Sequence, residues 1–97
     1  MMKFIVRRQA EDDIDEIAAL IAKDNLTAAL RFCDRAQETF DRIAAWPMVG
    51  TARKVKHLEL QGTRSYPIRG FRNYLVFYRP SQAEVEILHV IHGSRDI

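Results

Sequence analysis

Apolar residues in the first half of the chain change from a short continuous run to a helical repeat. Residues 4–6 are apolar and precede charged positions, which predicts a first β-strand. The next apolar positions recur at intervals of three and four, on one helix face: Ala10, Ile14, Ile17, Ala18 and Ile21. This first helix should end at residues 23–25, where Asn25 suits a left-handed turn position.

A second helical pattern follows after a short break. Thr27 is placed to cap it, and Pro47 ends it after Trp46 because proline cannot continue a helix. The apolar positions between them again recur at three and four: Ala29, Phe32, Cys33, Ala36, Phe40 and Ile43. The helix should be about 20 residues long, and the short break predicts an antiparallel helical hairpin. Cys33 is then a small apolar residue on the buried face.

The second half of the chain has the pattern of β-structure. Residues 47–61 form an irregular basic connector that is compatible with a turn of helix at residues 56–60. Strands are predicted at residues 64–68, 74–79 and 84–91, with turn-rich segments between them. The order β-α-α-β-β-β predicts an α+β fold, with the hairpin packed on a mostly antiparallel four-stranded sheet. We expect residues 1–97 to form one domain.

Composition narrows the class of protein. Of the 97 residues, 47% are hydrophobic and 29% are charged, which is typical of a globular domain. No apolar run approaches the roughly 20 residues of a membrane span. The apolar run at the N-terminus is too short, and charged residues follow it too soon, for a secretory signal. The single cysteine excludes an internal disulfide. We therefore expect a cytoplasmic protein that does not bind membranes.

The charge is unevenly distributed along the chain. Residues 1–46 carry seven Lys/Arg and nine Asp/Glu, whereas residues 47–97 carry eight Lys/Arg and four Asp/Glu. Between Arg53 and Arg79, Glu59 is the only acidic residue. Such a positive region favours a polyanion or an acidic protein partner, although a basic face that only confers solubility is the alternative.

Metal and nucleophilic chemistry are poorly supported. The chain has three histidines, His57, His89 and His92, and the last two are three positions apart on a predicted strand. They should point to opposite faces and cannot share one ion. Ser94 lies near His92 without the orienting group of a triad. No metal and no cofactor are expected.

Metal-free RNA cleavage remains an alternative. It requires an acid and a base near neutral pH and cations for the phosphate. His92 could act as acid or base, with Arg64 and Arg95 among the phosphate contacts. The simpler interpretation is that His92 is a strand-end residue that is hydrogen-bonded to backbone.

Five segments together resemble the ParE branch of the RelE/ParE toxin superfamily, from toxin–antitoxin (plasmid stabilisation) modules. They are residues 10–17, residues 46–53, residues 60–64, residues 74–79 and the closing residues 85–96, which include His-Gly-Ser-Arg-Asp. The resemblance covers nearly the whole chain and implies the same β-α-α-β-β-β fold.

The resemblance also implies a function. ParE-like toxins inhibit DNA gyrase, a type II topoisomerase, and form hetero-oligomers with a cognate antitoxin that is usually a ribbon-helix-helix, ParD-like protein. The RelE-like relatives instead cut mRNA on the ribosome, some of them with a terminal tyrosine. Here Gly93 follows His92 and no tyrosine follows Tyr78, so a binding toxin is favoured over an mRNA interferase. An inactive paralogue that binds antitoxin is a further alternative.

The predicted functional surface combines the basic region with the strand ends. Its members are Arg53, Lys54, Lys56, Arg64, Arg72, Tyr74, His92 and Arg95. Five of them, Arg53, Lys54, Arg64, Arg72 and Arg95, are expected to form one basic face that attracts the antitoxin, the target or both. No catalytic residue is expected in a gyrase inhibitor, and no sequence-specific nucleic acid binding by the toxin alone. If the protein is a nuclease, His92, Arg64 and Arg95 are the catalytic candidates.

Overall fold

Two helices pack against one face of a mixed sheet in the computed structural model, which describes residues 2–54, 56 and 61–93. The elements of this part of the chain are β1 (Lys3–Val6), α1 (Arg8–Ala22), α2 (Leu26–Ala45), β2 (Thr51–Ala52), β3 (Arg64–Ile68), β4 (Phe71–Pro80) and β5 (Glu84–His92). The strand order is β1-β5-β4-β3-β2, with β1 parallel to β5 and the other pairs antiparallel. The predicted α+β class and helical hairpin are confirmed.

The sheet has five strands where the sequence pattern predicts four. The additional strand, β2, is two residues long, and Thr51 pairs with Ser65 of β3. Two residues are too few to show the alternation by which a strand is recognised in sequence. In the predicted helical turn at residues 56–60, all but Lys56 lie outside the described residues.

The buried faces of both helices follow the predicted repeat, with one exception. The α1 stripe packs on the core, where Ala10 is fully buried, and α2 buries Phe32, Phe40 and Ile43. Cys33 is exposed, which contradicts its predicted burial. It follows Phe32 directly, and a step of one residue turns the side chain by about 100° away from the buried stripe.

The start of α2 also differs from the prediction. The side chain of Asn25 accepts a hydrogen bond from the backbone N–H of Ala28 at 3.0 Å, so Asn25 caps the helix instead of Thr27. Its φ angle of −158° is extended, not left-handed. Because α2 begins at Leu26, Thr27 already lies inside the first turn and cannot occupy the capping position.

The segment after α2, which we call the 46–50 turn, is fixed to the sheet by hydrogen bonds. The fully buried Tyr78 donates its hydroxyl to the carbonyl of Pro47 at 2.8 Å and accepts from the backbone N–H of Gly50 at 2.8 Å. Burial raises the pKa of the Tyr78 phenol, which further favours the protonated hydroxyl that donates to Pro47. The end of α2 is thereby held against β4.

Candidate functional site

Two of the predicted site residues, Tyr74 and His92, meet at the end of the β4–β5 pair. They are opposite each other in the register, and their rings lie 5.3 Å apart at 86°. Phe32 of α2 contacts Tyr74 at 5.5 Å and Phe71 at 5.2 Å between ring centroids, both edge to face. His92 is therefore the outer member of an aromatic cluster (Phe32, Phe71, Tyr74 and His92) on the helix-covered side of the sheet.

Arg53 and Arg64 do not share a face of the sheet. Arg53 donates to the hydroxyl of Ser65 at 2.7 Å and lies over the ring of Phe77, 5.7 Å from its centroid. Ser65 directly follows Arg64 in β3, and successive strand residues point to opposite faces. Accordingly, Arg64 extends to the 46–50 turn, where its Nε donates to the carbonyl of Gly50 at 2.9 Å. The prediction of one basic face is wrong for this pair.

The other predicted basic residues are also dispersed. Arg72 follows Phe71, which pairs with Ile68 at the far end of β3 from Arg64. Four steps along a strand are about 13 Å, so Arg72 and Arg64 lie at opposite ends of the hairpin. Lys54 and Lys56 are exposed. Arg95 lies outside the described residues, as do His57 and Ser94.

His89 has a different neighbour from His92. Its Nδ1 lies 3.5 Å from Oδ2 of Asp13 in α1, and the same oxygen accepts a hydrogen bond from the backbone N–H of Val90 at 3.0 Å. Asp13 thereby joins α1 to the edge of β5 beyond the end of β1. Within residues 2–54, 56 and 61–93, no three His, Cys, Asp or Glu side chains are grouped so that they could hold a metal ion.

The side chain of Glu86 is the centre of an ion-pair network on β5. Arg79 donates to Oε1 at 3.0 Å and Arg7 donates its Nε to Oε2 at 2.8 Å. The hydrogen bonds from Arg79 and then Arg7 lower the pKa of the Glu86 carboxyl below its usual 4.5. The sequence pattern did not reveal this network because Arg7 precedes α1 and reaches Glu86 only after folding.

Replacing Glu86 with glutamine should reduce the free energy of unfolding by about 1 kcal/mol near neutral pH, because two guanidinium groups lose their carboxylate. A carboxyl with a lowered folded-state pKa stabilises the fold above its unfolded-state pKa, and this is lost as the pH falls through the folded-state value. The difference between wild type and Glu86→Gln should therefore shrink below about pH 4.5 in urea unfolding series. A difference that stays constant on acidification would contradict this assignment.

A cleft lies between α2 and the β3–β4 hairpin. Its volume is about 500 Å³, and its lining residues are Glu38, Thr39, Arg42, Tyr66, Pro67, Arg69 and Arg72. A second cavity of about 430 Å³ is lined by residues 70–74, so Arg72 borders both. Arg42 was not predicted as a site residue because it belongs to the acidic half of the sequence and reaches this cleft only through the packing of α2.

The 46–50 turn presents two large apolar side chains to solvent. Trp46 is 66% exposed and Met48 is 68% exposed, while the backbone between them is tied to Tyr78 and Arg64. In the sequence, Trp46 served only to locate the end of a helix.

No helix among the described residues is long and apolar enough to cross a membrane.

Comparison with known proteins agrees with the resemblance seen in the sequence. The model of the family described as "ParE toxin of type II toxin-antitoxin system, parDE" matches residues 4–97. A solved structure described as "Chromosomal ParDE TA system from P. aeruginosa" superposes with a TM-score of 0.74 at 19% identity, covering 95% of this chain and 96% of that chain. At this identity the structural likeness shows the fold. No curated protein matches.

Proposed function

This chain belongs to the ParE toxin family of type II toxin–antitoxin systems, and on that premise we propose that it binds and inhibits DNA gyrase and is neutralised by a cognate antitoxin. The observation that carries the proposal is the family match, which extends over residues 4–97 and so includes both helices, all but the first residue of β1, and β2 to β5. The site of action would be the cytoplasm, where gyrase and DNA are found.

The geometry supports a binding toxin over a nuclease. A catalytic acid or base must lie within hydrogen-bond reach of the reacting group, close to the cations that hold the phosphate. His92 is opposite Tyr74, and Arg64 is opposite Tyr78, which lies four residues further along β4. The backbones of His92 and Arg64 are therefore about 13 Å apart in the direction of the strands. Arg64 is moreover bound to the carbonyls of Gly50 and Met48.

For the antitoxin we propose a ribbon-helix-helix, ParD-like protein that forms a hetero-oligomer with the toxin. The exposed basic residues Lys54, Lys56 and Arg72 remain candidate contacts, because their charges face solvent. Long-range attraction to an acidic partner would speed association, and exposed apolar side chains such as Trp46 would hold the bound state.

The test pairs a gyrase supercoiling assay with a ribosome-dependent mRNA cleavage assay. We expect supercoiling to be inhibited and no mRNA to be cut. His92→Ala should leave supercoiling inhibition within a few-fold of wild type, since removal of an acid or base costs roughly 10²–10⁴-fold only where it performs chemistry. His89→Ala is the matched control, because it removes a second half-buried imidazole from the same strand.

The opposite result is equally distinct. Ribosome-dependent mRNA cleavage that is lost in His92→Ala and retained in His89→Ala would replace gyrase inhibition with the interferase activity. A protein that binds antitoxin and is inactive in both assays would be a non-toxic paralogue. Thermal melting of each variant establishes that loss of activity is not loss of fold.

A further inference from the structure

Three arginines line the cleft between α2 and the β3–β4 hairpin. Arg42 comes from the last turn of α2, Arg69 from the hairpin turn and Arg72 from β4. Among the described residues, none of the three makes a side-chain hydrogen bond or ion pair. The acidic lining residue, Glu38, is instead bound by Arg35, at 2.8 Å.

This arrangement favours an anion. Like charges gathered in a concave site raise its positive potential, and the potential is relieved when an anionic group enters. Guanidinium groups present paired N–H donors that match the two oxygens of a carboxylate or phosphate. Tyr66 belongs to the same lining, and the hydroxyl of Thr39 is already donated to the carbonyl of Arg35 at 2.7 Å.

The second cavity, lined by residues 70–74, favours a peptide ligand over a nucleic acid. It is lined by Phe71 and Tyr74 and borders the cleft at Arg72, so one ligand could place acidic groups in the cleft and an apolar group beside the rings. Unpaired bases bind by stacking on free aromatic faces. Phe71 and Tyr74 are both partly buried against the core and each contacts Phe32, so neither is the fully exposed ring of a stacking platform, which favours an apolar side chain over a stacked base.

We propose that Arg42, Arg69 and Arg72 bind carboxylate side chains of an acidic segment of the antitoxin, and that an apolar residue of this segment enters the cavity beside Phe71 and Tyr74. The inference rests on the proposed function, because it takes the antitoxin as the partner. It assigns to that partner a contact surface in which Arg42 and Arg69 act although the sequence pattern did not select them.

The test measures how tightly three fluorescein-labelled probes of equal length bind to the full chain. The probes are a peptide alternating Glu and Leu, a peptide alternating Gln and Leu, and a single-stranded oligonucleotide. The wild type should bind the Glu-Leu peptide best. The double variant Arg42→Gln/Arg69→Gln should bind it at least about tenfold more weakly, because charge-assisted contacts are lost. The matched control, Arg8→Gln/Lys23→Gln, removes the same charge from exposed positions of α1 and its C-cap and should bind within about twofold of wild type.

Three outcomes would overturn the inference. If both double variants bind the Glu-Leu peptide equally weakly, only the net charge of the protein matters. If the wild type binds the Gln-Leu and Glu-Leu peptides equally well, the cleft does not recognise carboxylates. Tighter binding of the oligonucleotide, lost in Arg42→Gln/Arg69→Gln, would make the cleft a phosphate site.

Affinity for the intact cognate antitoxin separates this inference from the proposed function. If Arg42→Gln/Arg69→Gln binds the antitoxin as tightly as wild type, the cleft assignment fails and the proposed function stands. If the wild-type chain does not bind the antitoxin, the proposed function itself fails. A loss of about tenfold or more in the cleft variant, with the α1 control unchanged, supports both.

Discussion

Gly50→Ala should lower the free energy of unfolding by about 3 kcal/mol, which is a large part of the stability of a small domain. A Cβ at this position would lie 2.6 Å from the Tyr78 hydroxyl, 2.7 Å from the carbonyl oxygen of Ser65 and 2.8 Å from Cε1 of Tyr78. None of these atoms can yield easily, because the Tyr78 ring is fully buried and the Ser65 oxygen belongs to the sheet backbone. Urea unfolding followed by circular dichroism measures the loss.

Gly70→Ala is the matched control for this prediction. Gly70 has a φ of +81°, yet a Cβ there would meet no atom within 4 Å, so the variant carries only the backbone strain of about 1 kcal/mol. A loss at Gly50 no larger than the loss at Gly70 would show that the close approach to Tyr78 does not hold in solution.

Tyr78→Phe provides a second check, because it removes the hydroxyl that gives the shortest of the three contacts. In that background Gly50→Ala should cost less than it does in the wild type, and the difference is the coupling energy of a double-mutant cycle. Part of the cost should persist, since the carbonyl of Ser65 is still present at 2.7 Å. Strictly additive effects on the free energy of unfolding would mean that a Cβ at position 50 does not contact the Tyr78 hydroxyl.

The 46–50 turn changes the interpretation of Arg64. The sequence pattern placed this arginine among the binding or catalytic residues, but its guanidinium is bound to the carbonyls of Gly50 and Met48. Arg64 and Tyr78 together bind the backbone from which Trp46 and Met48 project. The structure therefore gives Arg64 the role of positioning the backbone of the 46–50 turn.

The sequence alone predicted the elements that are long enough to show a repeat of hydrophobic positions. The predicted bounds of β3 are those observed, and both helices have the predicted buried stripes apart from Cys33. Strand β2 was not predictable, because two residues carry no pattern and its pairing depends on β3. The capping role of Asn25 was missed for a related reason, since the break between the helices is too short to separate a turn residue from a cap.

The candidate site was less predictable than the fold, because it depends on which residues fold together. Tyr74 and His92 were both selected from the sequence, but Phe32, which packs against Tyr74, comes from a helix that is distant along the chain. Arg53 and Arg64 were grouped by charge, although the alternation of β3 separates them. Arg42 was not considered, because charge counted along the chain does not reveal charge gathered in a cleft.

Phe32→Ala should lower the free energy of unfolding by about 3–5 kcal/mol, because it removes a fully buried ring and leaves a cavity. It should also change the surroundings of His92, although the two side chains belong to different elements. The Phe32 ring holds Tyr74, and Tyr74 in turn packs against the imidazole at 5.3 Å. The measurements are urea unfolding and the NMR signals of the His92 ring.

Phe40→Ala separates the local effect from general destabilisation. Phe40 is 2% exposed in the same helix and its ring contacts Phe4 at 5.7 Å, away from Tyr74. The two variants should lose similar stability, but only Phe32→Ala should move the His92 signals. Equal shifts in both variants would mean that the aromatic cluster does not position His92. If Phe32→Ala alone shifts them, the position of the imidazole is set by packing from the core through Tyr74.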